Sequence, residues 1–182
     1  EKKGYLVPEG MKRNALNDLS RIARNWKPEA SYSAESEEMT QAYRLFVLAL
    51  GQVAEVGAMN RLKESKTLMS MSRYLLAAGY ALIGRPDVSK ELVVKTTALT
   101  TACSGYDQTF GSDLRDTSIR LMTLCLLDGG KEAALLANEI SKTLASDDWL
   151  STQSTAFSLV ALSDYMEKYK MSGSMDFSYA VD

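Results

Sequence analysis

The sequence predicts an all-α protein with an inner layer of buried helices wrapped by an outer layer of amphipathic ones: an α/α toroid, or a partial toroid of helical hairpins. Three observations predict it. Apolar residues recur 3 and 4 apart along most of the 182 residues. Two helix styles alternate. One-sided helices (Met11–Trp26, Asp87–Lys95, Lys131–Leu144) trade places with helices apolar nearly all round (Thr40–Val53, Met69–Ile83, Ser112–Leu127, Ser151–Tyr165). Dense apolar runs end at Gly51, Gly84 and Gly129, spaced 33 and 45, and again near Tyr165, 36 further on. A recurrence of roughly 35 to 45 residues marks stacked helical hairpins.

Each element has its own signals. Met11, Ala15, Leu16, Leu19, Ile22, Ala23 and Trp26 form one apolar stripe, which Lys27-Pro28 ends. A Ser- and Glu-rich loop follows, and Ser36 is the expected N-cap of the next helix, with Glu37 and Glu38 in its first turn. Ala42 to Leu50 is apolar nearly all round, the pattern of a helix buried on most sides. A short helix is expected from about Gly57 to Glu64. Tyr74 to Ile83 repeats the buried style, closed by Gly84. Pro86 fits the first turn of another helix, where its missing N–H costs nothing. Thr96 to Ser112 reads as the one long non-helical stretch. Asp113-Leu114-Arg115-Asp116 then opens an apolar helix, stopped by Asp128-Gly129-Gly130. An amphipathic helix covers Lys131 to Leu144, and Asp147-Asp148 is the expected cap of a last one ending near Tyr169. From Met171 the chain alternates polar and apolar residues into Asp176-Phe177-Ser178-Tyr179, the start of a β-strand. The expected division is therefore a helical domain over residues 1–170, then a linker and the start of a β domain over 171–182. Convergence of Leu45, Leu48, Leu76, Leu121 and Leu159 in one inner layer is the signature of the toroid. A tetratricopeptide array shares the period, but its Trp-Leu-Gly-Tyr-Ala-Pro pattern is absent and both its helices would be one-sided.

Composition narrows function. There is no His, so Ser-His-Asp triads, Cys-His pairs and His-ligated zinc are excluded. Two cysteines, Cys103 and Cys125, are too few for an all-thiolate zinc site. They could pair in an oxidising compartment, but the apolar runs around both favour free buried thiols. Twenty-one basic against 23 acidic residues leave a charge of −2, too balanced for a nucleic-acid reader. No run reaches the length of a membrane span, and no cofactor is expected. The chain opens Glu1-Lys2-Lys3 without an initiator Met, which predicts a piece of something longer.

Two stretches carry chemistry beyond core packing. Thr109 to Asp116 sets a Gly111-Ser112-Asp113 turn before a helix, with Arg115 and Asp116 close behind. Ser112 can cap, the acids suit the helix dipole and Arg115 can tie the loop down. Alternatively the cluster seats a ligand or partner loop. Trp149 to Phe157 places Ser151, Thr152, Gln153 and Thr155 before a buried helix, as caps or as a lining facing the toroid axis. Neither stretch holds a proton-transfer pair.

These stretches resemble the alpha-2-macroglobulin and complement superfamily. Trp149-Leu150-Ser151-Thr152-Gln153-Ser154-Thr155 through Tyr165 is similar to the Trp/Phe-x-Ser-Thr-Gln-x-Thr segment late in the thioester-containing domain. Thr109-Phe110-Gly111-Ser112-Asp113-Leu114-Arg115-Asp116 is similar to the Thr-Tyr/Phe-Gly-Ser-x-x-Arg-Asp signature of bacterial members. The resemblance spans about residues 5 to 170. It implies an α/α toroid of the kind shared with terpenoid cyclases and protein prenyltransferases. It also implies a non-enzymatic module of a periplasmic or envelope protein, lipid-anchored or secreted, that traps proteases. A protease cuts a bait region, the protein collapses around it, and an exposed thioester can acylate the target. The implied partners are trapped proteases and neighbouring macroglobulin-like β domains, with no nucleic acid and no membrane insertion by this segment.

Only matched positions carry over: Gly111, Ser112, Arg115, Asp116, Ser151, Thr152, Gln153 and Thr155, as candidate toroid-end lining or partner contacts. The family's Cys-x-Glu-Gln is absent. Cys103 precedes Ser104-Gly105-Tyr106 and Cys125 precedes Leu126-Leu127-Asp128. That motif lies upstream of Glu1, or this member lacks one. Two alternatives stand beside this reading: an α/α-toroid carbohydrate-active enzyme, which needs paired carboxylates across a cleft, and a helical protein-binding scaffold.

Overall fold

A computed structural model describes residues 6–8, 10–27, 34–66, 68–97 and 112–170. Among them lie eight α-helices and no strand: α1 (Met11–Asn25), α2 (Ala34–Leu50), α3 (Val56–Lys63), α4 (Ser70–Leu82), α5 (Pro86–Thr97), α6 (Asp113–Leu126), α7 (Gly130–Leu144) and α8 (Thr152–Lys168). Helices α2, α4, α6 and α8 pack side by side in that order. Around them, α1 and α3 lie on α2, α5 on α4, and α7 on α6 and α8. This is the expected division into an inner and an outer layer.

The apolar patterns explain which helix goes where. In α4 every residue from Tyr74 to Tyr80 is buried, because α2, α5 and α6 cover it on three sides. In α1 only Ser20 and Ala23 are buried, since a single stripe faces α2. Close approach between inner helices needs small residues. A Cβ on Gly79 would lie 3.2 Å from the Met59 side chain and 3.8 Å from the Phe46 backbone, where α4 meets α2 and α3. Gly84 takes φ +76° in the turn from α4 to α5, a conformation that strains residues with a Cβ. Side chains then bolt neighbours together. Gln41 Nε2 donates to the Ala23 carbonyl of α1 at 3.0 Å. Tyr80 Oη donates to Asn60 of α3 at 2.7 Å, Ser89 Oγ to the Ala77 carbonyl at 2.7 Å, and Thr123 Oγ1 to the Tyr74 carbonyl at 3.1 Å.

Four expectations need correction. Helix α2 begins at Ala34, so Ser36 lies inside it rather than capping it. Helix α5 runs through Thr97, into the stretch expected to be non-helical from Thr96. The last helix is capped by Ser151, because its hydroxyl accepts from the Ser154 N–H, while Asp147-Asp148 stay in the preceding turn. Leu45, Leu48, Leu76 and Leu121 are fully buried as expected, but Leu159 is 57% exposed. Only one face of α8 meets α6 and α7, and its opposite face has no helix against it among the described residues. No backbone packing joins α2 to α8; they meet through an edge contact of Tyr43 with Phe157, ring centres 6.0 Å apart. The described inner layer is thus an open arc. The strand expected near Phe177, the 171–182 domain start and Cys103 lie outside the described residues.

Candidate functional site

The two chemically marked stretches come together where α6 and α8 begin. Ser112 caps α6 by accepting from the Arg115 N–H at 3.1 Å. Ser151 caps α8 by accepting from the Ser154 N–H at 3.1 Å. Ser154 Oγ stands 2.6 Å from Ser112 Oγ and 2.9 Å from Ser151 Oγ, so one buried hydroxyl links both caps. One turn deeper, Ser118 and Ser158 hydroxyls meet at 3.0 Å. Each hydroxyl also stands within reach of the carbonyl four residues back, Ser118 of Leu114 at 2.7 Å and Ser158 of Ser154 at 2.8 Å, so two O–H groups are shared among three contacts. Small side chains at Ser151, Ser154, Ser158 and Ala161 repeat 3 and 4 apart and form the face of α8 that contacts α6.

Arg115 and Asp116 form a buried ion pair beside these caps. The guanidinium Nε and Nη2 both donate to Asp116 Oδ1, at 2.8 and 2.7 Å. Only 3% of Arg115 and 8% of Asp116 is exposed. Residues one apart on a helix do not face each other, so the arginine folds across the first turn to reach its neighbour. Asp113 and Asp116 also sit where the positive helix N-terminus favours an acid.

The predicted residues therefore divide. Ser112, Arg115, Asp116 and Ser151 belong to one polar joint between α6 and α8. Thr155 stands on its edge, half buried, donating to the Ser151 carbonyl at 3.1 Å. Thr152 and Gln153 are exposed beside it, as is Trp149 at 87%. Gly111 lies outside the described residues. Sequence reasoning missed Ser118, Ser154 and Ser158. Their signal was present as small hydroxyl residues at helical spacing within an apolar run. Replacing Ser112 or Ser151 by alanine should cost about 1 kcal/mol each, and the double variant less than the sum, since both share Ser154. Urea unfolding of the two single variants and the double variant checks this.

At the opposite end of the inner layer lies a cavity of about 230 Å³, reached by residues of α2, α4, α6 and α8. Cys125 lines it, and burial pushes its thiol up to about 11, so it is a poor nucleophile at neutral pH. Lys168 on its rim pairs with Asp128, which holds the Asp128 carboxyl below the usual carboxylate range. Among the described residues no cluster of acids and thiols could hold a metal ion, and no helix is long and apolar enough to cross a membrane.

The class defined is thus an all-α, two-layered stack of helical hairpins. Three solved structures share it, all of alpha-2-macroglobulin from Escherichia coli. The native protein superposes with TM-score 0.73 at 22% identity, over 91% of this chain and 11% of that one. A native fragment reaching the C-terminus gives 0.72 at 21% identity, over 91% and 27%. The trypsin-activated form gives 0.67 at 22%, over 91% and 12%. The chain thus spans from about a tenth to about a quarter of the length of these structures. No protein-family model matches the sequence, and no curated protein does either.

Proposed function

We propose that the chain is a non-enzymatic helical module of a bacterial alpha-2-macroglobulin-like protease trap, working in the periplasm or cell envelope. The observation that carries this reading is the likeness to Escherichia coli alpha-2-macroglobulin over 91% of the chain, in both its native and its trypsin-activated form. Ser112 of the first stretch and Ser151 of the second agree with it, since Ser154 links them in one joint at the end of the inner layer. In this reading the uncovered apolar edge of α8, with Leu159 and Val160 exposed, is covered by helices of a longer chain that complete a toroid. Residues 171–182 lead into a macroglobulin-like β domain. Thr152, Gln153 and Trp149 lie exposed beside the joint, and in this reading neighbouring domains contact the module there.

The carbohydrate-enzyme alternative fits less well. Asp164 and Glu167 line the cavity, but both lie on α8 less than one turn apart, rather than facing each other across a cleft. The proposal is tested with trypsin. The isolated 182-residue chain should leave hydrolysis of casein and of a small chromogenic amide unchanged. The longer protein should block casein hydrolysis while sparing the small amide. Inhibition by the isolated chain, or full casein hydrolysis with the longer protein, would contradict the reading.

A further inference from the structure

Helix α2 carries one charge that its apolar pattern does not explain. Arg44 is the only charged residue between Ala42 and Leu50, and it is half buried. Its guanidinium donates to Gln41 Oε1. The fully buried Gln41 is itself anchored on α1, donating through Nε2 to the Ala23 carbonyl at 3.0 Å. The arginine is thus held in place by a neutral partner. Burial lowers its pKa from the ordinary value, and among the described residues no acid works against that. Thr40, Arg44 and Val47, 4 and 3 apart, form one stripe of α2. Helix α4 approaches α2 elsewhere, at Leu45 and Phe46. Along the stripe Thr40 is exposed and Val47 half buried. One turn beyond Ala23, the buried Trp26 indole N–H has no acceptor either. This corner lies at the α2 end of the inner layer, which α1 and α3 cover from outside and α4 from one side.

We propose that Arg44 is a docking point for a carboxylate, an Asp or Glu side chain on a further helix of the longer chain that packs along the Thr40–Val47 stripe. The inference rests on the reading of the chain as an open arc of a larger ring. A cation drawn partly out of water is stabilised by an anion, which a covering helix of apolar residues alone would not supply. The planar guanidinium offers parallel N–H groups that match the two oxygens of a carboxylate, and Gln41 orients it before the partner arrives.

The test compares maleimide labelling of Thr40→Cys, in the Cys103→Ser background, between the isolated 182-residue chain and the longer protein. Labelling should be rapid in the first and slow in the second. Adding Arg44→Met should speed it in the longer protein by about tenfold, because the partner acid is then left without its cation. Arg44→Lys should have a smaller effect, since an ammonium keeps the charge but not the paired bonds. Neither change should lower the melting temperature of the isolated chain. Protection that Arg44→Met does not relieve would overturn the carboxylate contact while leaving the covered edge standing. Equally rapid labelling in both contexts would overturn the covered edge and the contact together. Labelling of the isolated chain that slows as its concentration rises would assign the stripe to a second copy, and would also overturn the proposal.

Discussion

Arg115→Met is expected to destabilise the chain by about 3–5 kcal/mol, because it leaves the Asp116 carboxylate buried without its cation. The pair is neither a surface bridge nor a free gain. Taking two charges out of water costs several kcal/mol per ion, and their attraction offsets that only while both are present. Two donors converge on one carboxylate oxygen at 2.7–2.8 Å, and removing them takes the adjacent cation from an acid that solvent barely reaches. The double variant Arg115→Met/Asp116→Leu should recover most of the loss, since neither charge then remains to be desolvated. Urea unfolding of the wild type, both single variants and the double variant measures the coupling. A single variant costing less than about 1 kcal/mol, the range of exposed pairs, would show the joint to be solvated.

The second large effect is expected at the centre of the inner layer. Leu121→Ala should cost about 3–4 kcal/mol, the sum of lost transfer energy and an unfilled void. Leu121 is fully buried on α6, the helix that packs against α4, α7 and α8. Leu159→Ala, the same chemical change on the open edge of α8, should stay within about 0.5 kcal/mol. Thermal or urea unfolding of the two variants separates buried from exposed positions that look alike in the sequence. Equal losses would mean that α8 is covered on both faces within this chain.

That pair of leucines also shows what the sequence could and could not reveal. Periodicity separates a one-sided helix from one apolar all round, and this was enough to sort α1 and α7 from α4 and α6. An all-round apolar helix signals two covered faces, yet it does not say which molecule or segment does the covering. Leu159 and Val160 belong to such a helix and are exposed in this chain. The candidate joint was legible in part. Ser112 announces itself as a cap because its hydroxyl is followed by a helix-forming run, whereas Ser151 reads equally as a cap or a lining residue behind Asp147-Asp148. Arg115 and Asp116 stood out as charges inside an apolar stretch. The hydroxyl link through Ser154 depends on how α6 and α8 are set against each other, which no local pattern encodes. Boundary errors at Ser36 and Asp147-Asp148 share one cause. A helix start is fixed by which residue adopts extended geometry and satisfies the free N–H groups, and several Ser, Thr and Asp residues compete for that place.

The most direct test of the account is the exposure of α8's outer edge in the two contexts. Leu159→Cys, placed in a Cys103→Ser background where the buried Cys125 thiol reacts slowly, should be alkylated rapidly by a maleimide in the isolated 182-residue chain. On the proposed reading the same cysteine should be protected in the longer protein, where further helices would lie against that edge. Equally fast labelling in both would contradict the claim that this chain is an open arc of a larger helical ring.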